Sequence, residues 1–241
     1  MYPCGMCGKF TAQATWREVV DFSQPLTGDG GGDIDGGGAD ERGEVHTYRV
    51  GGSLPVIVWD AAAGRRRVVP MRWGFPDPRD WRRPRPVHAR SETIDAKEPF
   101  RTPFHAGQRG IVVFETFNEG EEVTKPSGAT DVKQWTVTPG DGRPRGFAFV
   151  WRRYEIADQP APLLFCVMAT VPASELVRRS IKPLEDEPRM PAILETFDVW
   201  ATWLGEDGST AAAAKRLLKT MEGVNWTAAP EPKKPRAPRR T

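Results

Sequence analysis

Residues 146–151 read GFAFVW and residues 163–170 read LLFCVMAT, and these two runs decide the fold. Both are rich in β-branched and aromatic side chains and are bounded by Gly and Pro, the signature of strands. Working outward, LPVIVWD (54–60), RRRVVPMRWG (65–74), GIVVFETF (110–117) and QWTVTP (134–139) repeat the pattern. Two-residue Asn-Gly separations are mostly absent, so a simple meander is not assured. Helical signals stand at the ends. Thr15-Trp16-Arg17-Glu18 has capping-box spacing within a short helix predicted over Thr11–Phe22. Later come Ala173–Ile181, Thr196–Leu204 ahead of Gly205, and TAAAAKRLLKTMEG, with Ser209 as its N-cap and Gly223 past its end. The order predicts an α+β domain: one open, curved, mainly antiparallel sheet, barrel-like and bifurcated, flanked by helices.

The chain has 241 residues, 39% of them apolar, with 24 Gly and 23 Pro. That is enough for one well-cored domain carrying loops and a tail. The domain is expected over 1–228. Within it, GDGGGDIDGGGADERGE (28–44) cannot bury enough apolar surface to offset its ordering entropy and reads as a flexible insertion. Its acids fit a calcium loop poorly, since position 5 of such a loop falls on Gly37. No stretch has the length of a membrane span, and the start MYPCGMCGKF has no basic or apolar signal region, so a soluble, cytoplasmic monomer is expected. The three cysteines, Cys4, Cys7 and Cys166, suit a reducing compartment.

Charge is distributed unevenly. Between Gly64 and Arg90 stand Arg65, Arg66, Arg67, Arg72, Arg79, Arg82, Arg83, Arg85 and Arg90 against Asp77 and Asp80. Trp73, Phe75 and Trp81 are interleaved with them, which offers forks for phosphate beside rings on which bases stack. The basic, Pro-spaced tail 229–241 is expected to be disordered. His46, His88 and His105 are scattered, and Cys4-x-x-Cys7 lacks a second pair, so neither a metal site nor a cofactor is expected. Cys166, Trp200 and Trp203 read as core residues.

Four short motifs follow one another: Met6-Cys7-Gly8-Lys9-Phe10, Trp73-Gly74-Phe75, His88-Ala89-Arg90-Ser91-Glu92-Thr93, and Arg189-Met190-Pro191-Ala192-Ile193-Leu194. In this order and spacing the chain resembles the SOS response-associated peptidase (SRAP) family of abasic-site processing proteins. The resemblance implies a DNA-damage protein that binds single-stranded DNA and links covalently to abasic sites, on the nucleoid when bound. An N-terminal Cys carries an α-amine that condenses with an aldehyde and a thiol that closes a thiazolidine.

Carried over position by position, the resemblance makes Cys7 the nucleophile and Glu119 the proton-transfer group. Lys9, Arg90 and Arg189 become phosphate contacts, and Trp73 and Gly74 line the DNA cleft. Two departures concern the pocket. Glu187 stands where the family has a His, and His88 where it has an Asn, so these two are further catalytic candidates. A carboxylate pair Glu119/Glu187 would keep a proton available if the two were close. Five residues also precede Met6, and Cys7 has a free amine only after initiation at Met6 or cleavage before Cys7, the covalent activity being lost otherwise; initiation at Met6 is expected, because it restores Met-Cys-Gly as a start and the preceding residues have no evident structural role. On the covalent reading the family's peptidase label reflects self-processing and reversal chemistry of the N-terminal Cys, and two alternatives stay open: a non-covalent single-strand-binding module of the same fold, and a thiol peptidase using Cys7, Glu119 and His88 or Glu187.

Overall fold

The structure, a computed structural model, describes residues 9–12, 46–141, 145–157, 159–180, 187–222 and 225–231. Cys4, Cys7, the helix expected over 13–22, the glycine-rich insertion 28–44, Gly223 and the tail beyond residue 231 lie outside them.

The apolar runs close into a barrel. β3 (Ser53–Asp60), β4 (Arg65–Trp73), β8 (Arg109–Phe114), β11 (Arg145–Tyr154) and β12 (Leu163–Pro172) pair in the cycle β12-β4-β3-β8-β11-β12, so the curvature expected of an open sheet goes to closure. Every pair in the ring is antiparallel except β12 with β4. Closure removes the exposed edges that such apolar strands would otherwise present.

A second sheet lies in the order β15-β10-β9-β1-β2, from β1 (Lys9–Ala12), β2 (His46–Arg49), β9 (Thr116–Thr124), β10 (Thr130–Pro139) and β15 (Trp226–Pro230). The run 110–117, read as one strand, divides at Glu115 between the two sheets. Thr11 and Ala12, expected to open a helix, are strand residues opposite Thr47 and His46. Pairing on both sides of β1 outweighs the local helical signal there. Where the sheets meet, the Phe114 and Phe147 rings stack at 3.5 Å between centroids, and Phe10 and Phe117 set edges against Phe147 at 5.3 and 6.1 Å.

Four helices are described: α1 (Arg101–His105), α2 (Glu175–Ser180), α3 (Phe197–Leu204) and α4 (Ala211–Arg216). None is long and apolar enough to cross a membrane. α3 ends at Gly205, whose φ of 79° makes the left-handed cap. Trp200 and Trp203 are buried as expected, with their Nε1 groups donating to Leu194 O and Gly110 O at 3.1 and 2.9 Å. Arg109 is buried and donates to the terminal carbonyls of two helices, Phe104 O at 3.0 Å and Trp203 O. Burial lowers its pKa, with Asp207 opposing. Thr210 rather than Ser209 caps α4, its hydroxyl accepting from Ala213 N at 3.2 Å. That helix stops at Arg216, and the chain beyond it turns to bury Leu218 and Met221.

Candidate functional site

The site is organised by β12, because both edges of this strand change partner part-way along. On one edge Cys166 pairs with Trp73 of β4, and then Met168, Ala169 and Thr170 pair with His88, Ala89 and Arg90 of β7 (His88–Arg90). β4 and β7 therefore succeed each other along the same edge. On the other edge β11 runs to Met168, and β13 (Arg189–Pro191) takes over from Thr170 to Pro172. β14 (Ile193–Leu194) then returns to β11, which makes the expected bifurcation.

Residues two apart on a strand share a face, as do neighbours in parallel register. Trp73, His88 and Arg90 consequently form a row over Cys166, Met168 and Thr170. The row runs from core to solvent. Trp73 is fully buried, with Nε1 donating to Val87 O at 3.2 Å, and its ring meets His88 edge-on at 6.2 Å. His88 is half-buried, and the Arg90 side chain is 58% exposed. Behind Trp73 stands Phe10 of β1, at 5.5 Å between centroids.

Gly74 begins the excursion that separates β4 from β7. Its φ of +103° lies in the left-handed region, and a Cβ there would come within 2.3 Å of Pro84 Cβ. Its N–H donates to Cys166 O at 2.7 Å. Both the conformation and the space exclude a side chain, so Gly74 shapes the wall of the row and contributes no group of its own.

Around Thr170 two ion pairs join each strand's arginine to an acid just outside the other strand, Arg90 of β7 to Glu187 and Arg189 of β13 to Glu92. Arg90 Nη1 lies 3.5 Å from Glu187 Oε2, and Arg189 makes a bidentate pair with Glu92 at 2.9 and 2.8 Å. Arg189 also donates from Nε to Thr170 Oγ1 at 3.2 Å and from Nη2 to Thr170 O at 2.7 Å. The two pairs differ in kind. Glu187 is 85% exposed and its contact with Arg90 is long, whereas the Arg189 side chain is only 6% exposed. The phosphate role implied for Arg189 does not match this placement, because its fork is already filled inside the protein. Arg90 is the arginine that faces solvent.

Burial works against ionisation of Glu92, yet hydrogen bonds from Arg189 and its own backbone, with the charges of Arg189 and Arg90, hold its carboxyl below the usual range. A depressed carboxyl stabilises the fold above its unfolded pKa of about 4.3, and that stabilisation is lost as pH falls through the lower folded value. Glu92→Gln is therefore expected to melt below the wild type at pH 7, the gap closing as the melts are repeated toward about pH 3.

The other half of the site comes from the second sheet. β1 and β9 pair so that Lys9 faces Asn118 and Phe10 faces Phe117. Glu119, the next residue, is fully buried and shares the face of Phe117. That face meets the barrel through Phe10, Phe147 and Trp73. Lys9 is ion-paired with Glu231, just past the end of β15, so it does not stand as an open phosphate contact.

Two further expectations change. Glu119 and Glu187 are not a carboxylate pair in one pocket, since one is enclosed and the other is solvated on Arg90. His88 stands two residues before Arg90 on β7, and Glu187 meets Arg90 at 3.5 Å. Trp73 and Phe75 are not stacking platforms, because both are core residues, Phe75 packing on Phe100 and Tyr154 at 6.1 and 5.5 Å. Glu92 and Thr170 were not singled out from the sequence. A signal existed: Arg90-Ser91-Glu92 and Glu187-Pro188-Arg189 are mirror patterns, which on the two strands flanking β12 allow each arginine to reach the other's acid.

Among the described residues no group of three or more His, Cys, Asp or Glu side chains is placed to hold a metal ion. Cys166 is buried and its thiol pKa is pushed well up by desolvation, which leaves it inert.

The segments holding Trp73, His88–Arg90 and Arg189–Pro191 thus flank one strand. A family model for the SOS response associated peptidase (SRAP) matches residues 6–233. The chain belongs to this family. A protein of Bordetella bronchiseptica is similar in fold, at TM-score 0.70 and 20% identity over 94% of this chain and 100% of that one. So are a protein of Bacteroides thetaiotaomicron, at 0.61 and 21% over 77% of each chain, and a phage-related protein of Bordetella bronchiseptica, at 0.64 and 15% over 94% and 95%. No curated protein sequence matches. The SRAP motifs of this chain are therefore carried by a SRAP-like fold.

Proposed function

We propose that this SRAP protein binds single-stranded DNA along the Trp73–His88–Arg90 row and captures the aldehyde of an abasic site through Cys7. The observation that carries the reading is the fully buried Glu119, one residue from the Asn118 that pairs with Lys9. Cys7 precedes Lys9 by two residues, so chain connectivity alone keeps their Cα atoms within about 7 Å. A carboxyl sheltered from water next to the strand that follows the nucleophile suits proton transfer.

The chemistry balances as a condensation. The α-amine of an N-terminal Cys7 adds to the aldehyde carbon of the ring-opened sugar, and the resulting carbinolamine loses its hydroxyl as water, with Glu119 as proton donor. The thiol sulfur then adds to the imine carbon, its proton passing to the nitrogen. One C–N and one C–S bond form, and one water leaves. Arg90 holds a phosphate beside the sugar, exchanging its long contact with Glu187 for a charge-assisted one. Arg189 is a positioning residue that fixes Glu92 and Thr170. Trp73 backs His88 and limits how deep the sugar sits.

One observation favours a second reading, non-covalent binding alone: an exposed Glu187 in place of a His leaves Arg90 partly neutralised and supplies no imidazole. An abasic oligonucleotide run on a denaturing gel separates the two. The covalent reading expects a retained band with Cys7 at the N-terminus, no band with Cys7→Ser, and band formation slowed about 10²-fold or more by Glu119→Gln. No band from any form, with undamaged strands still bound, leaves the non-covalent module.

A further inference from the structure

The strand that follows the nucleophile is short. β1 has four residues, of which only Lys9, Phe10 and Thr11 pair with β9, and Lys9 opens it two residues after Cys7. Pairing frays first at the end of an element, and loosening at Lys9 is passed directly to Cys7.

What holds Lys9 comes from the far end of the chain. Its ammonium is ion-paired with Glu231, 222 residues on, and the two side chains are only 15% and 30% exposed. Water therefore screens this pair less than it screens Arg90 with Glu187, at 58% and 85%. Glu231 is itself fixed. Its N–H donates to Gln134 O of β10 at 2.8 Å, directly after β15 has paired with β10 as far as Trp135 and Pro230. β10 in turn is bound to β9 beside Lys9, since Asn118, opposite Lys9 in register, is buried and donates from Nδ2 to Thr136 Oγ1 at 3.1 Å. The links close a circuit through four strands, from β1 to β15, β10, β9 and back to β1. Lys9 is thus held from two directions, by the ladder and by the carboxylate. An ammonium committed to a carboxylate of its own fold offers a row of phosphates little net charge, so the contact serves placement more than binding.

We propose that Lys9 and Glu231 are positioning residues for aldehyde capture. The pair clamps the start of β1 and so fixes Cys7 at the reacting carbon, which makes the C-terminal end of the domain part of the capture machinery. The proposal rests on the covalent reading above. Capture needs the amine and then the sulfur to meet one carbon, and a misplacement of about 1 Å at a reacting group costs up to about 10²-fold in rate. Losing the clamp should slow the chemical step and leave the grip on the strand, which lies along the Trp73–His88–Arg90 row, as it was.

The test uses the chain from Cys7 to Thr241, with Glu231→Gln, Lys9→Glu and the exchanged pair Lys9→Glu/Glu231→Lys. Single-turnover capture is followed at saturating abasic oligonucleotide, and affinity is measured on the undamaged strand. Glu231→Gln is expected to capture about tenfold more slowly, with affinity within about twofold of the wild type and a melting temperature only slightly lower. The exchanged pair should recover most of the rate that Lys9→Glu loses, a rescue that a general loss of stability does not give. Tighter binding of the undamaged strand by Glu231→Gln, with capture at the wild-type rate, would mean that the carboxylate merely holds Lys9 off the phosphates, and overturns the proposal. So does an exchanged pair as slow as Lys9→Glu alone. Both results leave the covalent reading standing, because the wild type still captures. No capture by a wild type that binds the strand overturns the covalent reading and the clamp with it.

Discussion

Arg189→Met is expected to lower unfolding free energy by about 2–4 kcal/mol, whereas Arg90→Met leaves it within about 0.5 kcal/mol. The two arginines come from matching motifs, and their separation rests on burial. Removing the Arg189 guanidinium leaves Thr170 Oγ1 without its donor and takes one of two donors from the Thr170 carbonyl, which keeps Ser91 N at 2.8 Å, in a region closed to water. Each such buried loss costs about 1–3 kcal/mol. Glu92 loses a bidentate partner as well, but it is 49% exposed, so water compensates part of that loss. Arg90 contributes only a long contact between exposed side chains, of a kind worth little. The roles should invert on DNA. Arg90→Met is expected to weaken single-strand binding in a folded protein, while Arg189→Lys, which keeps the charge but loses the fork, should melt early and bind normally below its midpoint. Urea melts of the three variants check the first half, and titration with an undamaged strand checks the second. Equal stability of Arg189→Met and wild type contradicts the positioning role.

The second large effect is expected at Gly74. Any Cβ there meets Pro84 Cβ at 2.3 Å, Val87 Cγ1 at 3.0 Å and Pro84 Cα at 3.2 Å, with φ at +103°. Backbone strain of about 1–3 kcal/mol and overpacking of a similar size add, so Gly74→Ala should lose about 2–6 kcal/mol, a large part of an ordinary domain's stability. Relief requires the hairpin of residues 74–87 to tilt off the barrel, because Pro84 belongs to its second strand, Asp80–Pro84. Partial loss is therefore expected to appear first as raised hydrogen exchange at Phe75 and Arg85, whose amides close the hairpin base. Gly107, at φ 76° with nothing within 4 Å, is the control, strained but uncrowded. Its Ala variant should lose less, and equal losses at the two sites would count against the packing argument.

The barrel was legible where its strands are apolar on both faces. Runs such as LLFCVMAT and GFAFVW need enclosure, and the sequence contains enough of them for a ring. Short strands carried no such signal. HTYR at β2, HAR at β7 and WTAAP at β15 have no apolar period, and long-range pairing alone makes them strands. The motif order located the residues around β12 but not their depth. Trp73 and Arg189 looked like surface contacts because Trp and Arg serve nucleic acids well, yet each has the reach to satisfy its polar end from inside the fold. Depth follows from which strands flank β12, and that is fixed by the switch from β4 to β7 across a hairpin.

The central claim is that a terminal Cys7 and the enclosed Glu119 together turn an aldehyde into a ring closed by sulfur. Intact mass after incubation with an abasic oligonucleotide tests it most directly, on one preparation beginning at Cys7 and one retaining residues 1–6. A species equal to protein plus oligonucleotide minus one water is expected from the first preparation, resistant to borohydride because no imine remains, and none from the second. An adduct of the same mass from the second preparation, or none from the first while it binds the strand, contradicts it.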